Sequence, residues 1–271
     1  MNQTLAAILL GILEGFTEFL PISSTGHLIL ATELFGYDAD DWKVFNVVIQ
    51  LGAVMAVVVQ YWRTFWSVGL GLLKLENSSL LFVRNIALGF LPAAILGLLF
   101  KEHINVLLGS PIVVGWALVM GGIAIILIER SVKPGPPTSI AELPARQVIG
   151  VGLFQCMAMV PGVSRSGATI MGSLLMGIER KTAAEFSFFL AVPTMLGATI
   201  LQLYTHRDLL GPDGGQVGGW TEIALGFVAA FLVALISIRV LIGLLSRTGF
   251  TPFGYYRIVL GTIAIAWLTL R

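Results

Sequence analysis

Apolar residues run along this chain in long blocks, at about 4 to 20, 22 to 35, 45 to 62, 85 to 100, 111 to 128, 148 to 160, 163 to 177, 186 to 204, 222 to 245 and 253 to 270. A helix needs roughly 20 residues to cross the hydrocarbon core of a bilayer. The pairs 4 to 20 with 22 to 35, and 148 to 160 with 163 to 177, are each interrupted by proline, at Pro21 and Pro161. They read as half-helices, because proline removes a backbone donor and pushes the preceding residue out of the helical region. The other six blocks are long enough to span, with 85 to 100 the shortest. The pattern therefore predicts an all-α polytopic membrane protein with six transmembrane helices and two re-entrant helix hairpins.

Composition agrees with that pattern and excludes a soluble domain. Of 271 residues, 56% are hydrophobic and only 11% charged, and the mean hydropathy is +0.91; such values belong to membrane proteins. A net charge of +1 says little about partners and gives no sign of nucleic-acid binding. The single Cys156 rules out an internal disulfide. A cleaved signal peptide is not expected, since the N-terminus lacks a basic region and Glu14 and Glu18 interrupt its apolar run.

The chain repeats itself at a constant offset of 141, without a gap. Glu14 falls on Gln155, Ile22 on Val163, Ser23 on Ser164, Ser24 on Arg165, Thr25 on Ser166, Gly26 on Gly167, Gly36 on Gly177 and Phe45 on Phe186. This divides a single membrane domain into repeat 1, about 1–130, a linker, about 131–147, and repeat 2, about 148–271. The Pro-rich stretch from Lys133 to Pro144 reads as an exposed connector, as does the Gly-rich stretch from Gly211 to Gly219. With both hairpins re-entrant, Arg63, Lys74, Arg84, Arg130, Lys133, Arg146, Arg180, Lys181 and Arg247 collect on one side of the membrane. Lys43, Lys101, Arg207 and Arg271 fall on the other. The positive-inside rule then puts the first group in the cytoplasm and both termini outside. It also makes the repeats inverted, a transporter-like design in which the hairpin tips meet near the midplane.

Polar residues inside such a chain are candidates for chemistry by default. Glu14 and Glu18, spaced i and i+4, share one helical face; they face a polar cavity, a cation or Arg165, unless the helix lies at the interface with both acids in headgroup water. Ser23, Ser24, Thr25 and Gly26 follow Pro21, and Ser164, Ser166 and Gly167 follow Pro161. Each group can cap a helix, and each can bind an anion there, because the free amides and the helix dipole point the same way. Arg165, between two serines, presents a fork suited to phosphate oxygens; the alternative is an ion pair with Glu14 or Glu18. Thr169, one turn beyond, either adds a hydroxyl to that face or bonds back to its own helix. His27, three residues after Ser24, could relay a proton or be a core histidine. His103 and His206 fall in predicted outer loops, and Arg239 and Arg257 are expected to snorkel to an interface.

Glu14-x-x-x-Glu18, Pro21-Ile-Ser-Ser-Thr-Gly-His27 and Pro161-Gly-Val-Ser-Arg-Ser-Gly-Ala-Thr169 resemble the signature segments of the bacitracin-resistance type of undecaprenyl-diphosphate phosphatase. The resemblance extends through Glu185-Phe-Ser-Phe-Phe-Leu-Ala-Val-Pro193 over essentially the whole chain. It implies a bacterial inner-membrane hydrolase that recycles the carrier lipid of cell-wall synthesis, with polyprenyl diphosphate as substrate; the charge-based orientation then makes its site reachable from the outer side. The resemblance also favours a divalent cation, Mg²⁺ or Ca²⁺, as cofactor, for which Glu14 and Glu18 are the candidate ligands; no organic cofactor is implied, and a second copy of the chain is a candidate partner. Read with the residues, it suggests Ser24 as nucleophile, His27 as its base, Glu18 orienting or sharing the proton, and Arg165 with Ser23, Thr25, Gly26, Ser164, Ser166 and Thr169 holding phosphate. Thr25 and water remain alternative nucleophiles. A transporter or lipid flippase is the alternative function, from the repeat scaffold alone.

Overall fold

The computed structural model describes residues 2–37, 42–108, 110–133, 135–205 and 219–270. His206, Arg207, Arg271 and positions 211–218 of the Gly-rich connector lie outside the described residues, as do the side chains of Lys43, Lys101 and Arg247. All described regular structure is helical: α1 Gln3–Thr17, α2 Ser24–Leu34, α3 Lys43–Gln60, α4 Trp62–Leu73, α5 Asn77–Leu99, α6 Lys101–Leu108, α7 Pro111–Ser131, α8 Ala145–Cys156, α9 Arg165–Leu175, α10 Arg180–Thr205, α11 Trp220–Thr248 and α12 Thr251–Leu270. Two 3₁₀ turns, Ile140–Glu142 and Met157–Met159, complete the described elements.

Five helices are long and apolar enough to cross a membrane, within α5, α7, α10, α11 and α12. A sixth is counted if α3 and α4, which meet at an angle of 71°, are one broken span. The apolar run read as ending at 62 thus turns at Tyr61 and continues as a second helix, whose Trp62 and Trp66 are exposed in the manner of residues at a membrane interface. Helix α5 begins eight residues before its apolar run. Its first turns carry Ser78, Ser79, Arg84 and Asn85, polar residues that an apolar window does not register.

The helices approach closely where glycine leaves room. A Cβ placed on Gly11 of α1 would overlap the Gly226 carbonyl of α11, and one on Gly122 of α7 would lie 2.6 Å from the Gly254 carbonyl of α12. In lipid, apolar side chains gain little by leaving the solvent, so close backbone packing at small residues carries much of the helix association. The main core lies behind the two breaks. Phe19, Leu20 and Ile22 from the first hairpin pack there with Ile170 and Met171 of α9 and Phe186 and Phe188 of α10.

The linker is exposed at Lys133, Pro136, Pro137, Ser139, Glu142 and Pro144, as its composition suggests, but it is also pinned to the helices. Ile140 and Leu143 are buried, and the fully buried Asn85 of α5 donates from Nδ2 to their carbonyls at 2.7 and 3.0 Å. Two isolated apolar residues in a Pro-rich stretch give no periodic signal, and their anchor lies 55 positions away. Asn85→Ala leaves those carbonyls buried without a donor, which costs about 1–3 kcal/mol. A lower melting temperature in detergent and faster proteolysis between α7 and α8 are the expected results.

Candidate active site

Both hairpin breaks are built alike. Chain bends at Pro21 and Pro161 are followed by Ser23 (φ 73°) and Ser164 (φ 78°), two of three described non-glycine residues with positive φ. Each serine is the N-cap of the next helix and accepts from the amide three residues on, Gly26 N at 3.2 Å and Gly167 N at 3.0 Å. Non-glycine residues in that region cost about 1–3 kcal/mol and persist where surrounding structure dictates them. Here the cap bond and the burial of both serines supply that constraint.

The breaks converge on one another. Arg165, at the start of α9, donates from Nη2 to Glu18 Oε1 at 2.8 Å, and from Nη1 to the Ser187 carbonyl at 2.8 Å and the Ser187 hydroxyl at 3.3 Å. Glu18 Oε2 accepts a short hydrogen bond from Ser24 Oγ. All three groups are buried, and the Arg165 guanidinium sits over the Phe19 ring, 5.9 Å from its centroid. Arg165 Nε has no partner among the described residues. The ion pair weighed for Arg165 is therefore present, with Glu18 and not with Glu14.

A cavity of about 410 Å³ opens beside this pair. Its polar lining is Glu18, Ser23, Ser24, Thr25, Gln155, Ser164 and Arg165 with Thr194, Gln202 and Thr205 of α10, and its apolar lining includes Phe90, Ala94 and Leu98 of α5 and Met195 and Leu201 of α10. Gln155 Nε2 is buried without a hydrogen-bond partner among the described residues. A second cavity of about 530 Å³, between α4, α5, α10 and the linker, is lined by Tyr61, Glu76, Glu185 and several hydroxyls; it contains no residue of the two breaks.

The other expected site residues stand behind the wall. Ser166 donates to the Leu20 carbonyl at 2.8 Å and lies 3.0 Å from the Ser164 hydroxyl, so it ties one break to the other. Thr169 bonds back to the Arg165 carbonyl at 2.9 Å and reaches the Ser187 hydroxyl at 2.7 Å. The Gly26 amide is taken by Ser23. Glu14 is fully buried and lines no part of the cavity, and neither of its carboxylate oxygens has a hydrogen-bond partner among the described residues.

His27 does not meet Ser24. Its Nδ1 lies 2.7 Å from the Ser23 carbonyl, which can only accept, so Nδ1 carries the proton. Its Nε2 then accepts from the Tyr256 hydroxyl at 2.8 Å, and the two rings lie parallel at a centroid distance of 5.7 Å. The group positioned to take a proton from Ser24 is Glu18.

Sequence reasoning missed Ser187, Tyr256 and the role of Arg257. Ser187 falls inside the 185–193 segment already noted, and that membership was the available signal. Arg257 does not snorkel: it is fully buried, whereas Arg239 is exposed and donates to Gln60 at 3.0 Å.

Comparison with known proteins follows the same lines. The pattern of the family described as "Bacitracin resistance protein BacA" matches residues 7–263. The chain is similar to an undecaprenyl-diphosphatase of Novosphingobium aromaticivorans, 65% identical over 272 residues and the full length of both proteins. It is also similar to those of Sphingopyxis alaskensis, 52% identical over 99% of each chain, and Rhizorhabdus wittichii, 51% identical over 98% of each.

Proposed function

We propose that this chain, which belongs to the bacitracin resistance protein BacA family, is a membrane phosphatase that converts undecaprenyl diphosphate to undecaprenyl phosphate and inorganic phosphate. The observation that carries this reading is the buried Glu18–Arg165 pair with Ser24 bonded to the same carboxylate, on the polar wall of a cavity whose α5 wall is apolar. A diphosphate head fits the first wall and a polyprenyl tail the second.

Glu18 is the counter-ion of Arg165. An incoming diphosphate brings its own negative charge, and its oxygens compete for the guanidinium, with Arg165 Nε, Gln155 Nε2 and the Thr25 hydroxyl as further donors. Displaced from Arg165, Glu18 is free to accept the Ser24 proton as Ser24 Oγ attacks the terminal phosphorus. The bond to the bridging oxygen breaks, undecaprenyl phosphate leaves with that oxygen, and water then hydrolyses the phosphoserine. Neutralising charge on the transferred phosphoryl group is the main catalytic demand. Ser166 and Thr169 act from behind, by holding Ser164, Arg165 and Ser187 in place, and His27 braces the Ser23 turn.

The residues also fit a divalent cation. Glu14 has two buried carboxylate oxygens without hydrogen-bond partners among the described residues, one turn before Glu18, and hard oxygen donors suit Mg²⁺ or Ca²⁺. Among the described residues no third acidic, His or Cys side chain joins them and Glu14 itself lines no part of the cavity, so the other ligands of such a cation would have to be water or substrate oxygens reached from the Glu18 side. Glu14 and Glu18 would hold it, and its chemistry would be to offset the charge of the diphosphate.

We further read the scaffold as an inverted repeat in a bacterial inner membrane, with termini and cavity toward the outer side. Helices α2 and α9 are offset by 141 at both ends, and α1 packs on α11 as α8 packs on α5, the exchange a two-fold relation requires. Phosphate release from a polyprenyl diphosphate by the purified protein in detergent, where transport has no meaning, tests the activity. No release would refute it. In sealed, oriented vesicles the phosphate is expected outside, and its appearance inside would reverse the orientation.

A further inference from the structure

Arg257 lies near the start of α12, fully buried, and each of its five N–H groups is directed at a main-chain carbonyl. Nε donates to Leu118 at 3.4 Å and Nη2 to Ala117 at 3.0 Å, both on α7. Nη1 donates to Pro21 at 3.1 Å and to Val163 at 2.8 Å, and Nη2 also to Gly162 at 2.8 Å. Three of the five carbonyls therefore belong to the two breaks: Pro21 from the one that carries Ser24, Gly162 and Val163 from the one that carries Arg165. Room for the guanidinium against α7 depends on Gly121, where a Cβ would overlap Nη2.

We propose that Arg257 is the positioning residue of the phosphatase site: it binds no substrate, but sets the register of the two hairpin breaks so that Glu18 and Ser24 face Arg165 across one cavity. The inference rests on the phosphatase reading above. Only a planar cation with five donors in a fixed fork can hold both breaks and α7 at once; a lysine has three donors at one point. The same bonds orient peptide units. In a trans peptide the N–H points opposite to the C=O, so fixing the Val163 carbonyl on Arg257 turns the Ser164 amide away from the guanidinium. Gly162 and Ser164 both line the cavity, which places the buried cation directly behind its wall.

The test uses the full-length protein in detergent with farnesyl diphosphate as probe, comparing wild type with Arg257→Ala, Arg257→Lys and Gly121→Ala. Misregister of groups that act in the transition state lowers kcat more than it raises KM. Arg257→Ala is expected to lose about 100-fold in kcat with KM changed less than about threefold, and Arg257→Lys to recover little of it. Millimolar guanidinium, filling the space left in Arg257→Ala, is expected to restore kcat at least about tenfold. Gly121→Ala, which displaces the side chain without removing it, is expected to lose about tenfold and to show no rescue. Wild-type-like kcat in Arg257→Ala overturns the proposal, as does a loss in Arg257→Ala that guanidinium does not restore while Gly121→Ala stays fully active. A wild type that releases no phosphate refutes the phosphatase reading instead.

Discussion

Arg165→Lys is expected to lower kcat for phosphate release by about 10²–10³-fold, the usual consequence of removing one preorganised donor from a charge-stabilising site. An ammonium keeps the charge opposite Glu18 but cannot bond Glu18 and the Ser187 carbonyl as the guanidinium does, at 2.8 Å to each, and it has no Nε to offer a phosphate oxygen. Stability separates this from simple disruption. Arg165→Ala strands the buried Glu18 carboxylate, and breaking a buried pair on one side costs roughly 3–5 kcal/mol, so its melting temperature should fall well below that of Arg165→Lys. Adding Glu18→Gln to Arg165→Ala removes the stranded charge and should recover much of that stability without recovering activity. Kinetics and thermal melts on the four proteins in one detergent check the set; near-normal turnover in Arg165→Lys would take Arg165 out of the site.

Much of this arrangement could be read from the chain because it is local. Pro21 and Pro161 break the apolar runs, and the 141-residue offset predicts two alike turns; Ser23 and Ser164 adopt φ values of 73° and 78° and make the same cap bond. Glu18 and Arg165 had to be brought together from different repeats, and intramembrane charge pointed to that pairing. What the pattern could not carry are contacts to the main chain. Arg257 bonds only to carbonyls, so no complementary side chain marks its partners, and a lone arginine in an apolar run looks the same whether it snorkels or clamps. The docking of the linker through Asn85 is hidden for the same reason. Spacing misled at His27, three residues past Ser24. Ser24 is the first residue of α2, and its hydroxyl turns back across the break to Glu18, while His27 reaches out to Tyr256 on α12.

That geometry makes the identity of the nucleophile an experimental question with a sharp answer. Ser24 and Thr25 both line the cavity, but only Ser24 is bonded to a carboxylate able to take its proton, the pairing of nucleophile and base that covalent catalysis needs. Ser24→Ala is accordingly expected to lose at least about 10³-fold in kcat, more than either Thr25→Ala or His27→Ala, because it removes the attacking atom and not an accessory bond. Acid quenching during turnover of substrate labelled in its terminal phosphate should leave label on the segment between Glu18 and His27, in wild type and in Thr25→Ala but not in Ser24→Ala. Label on Thr25 would transfer the role one residue along. Full activity in Ser24→Ala with no trapped label would mean direct attack by water, with Glu18 then the only group on this wall placed to accept its proton.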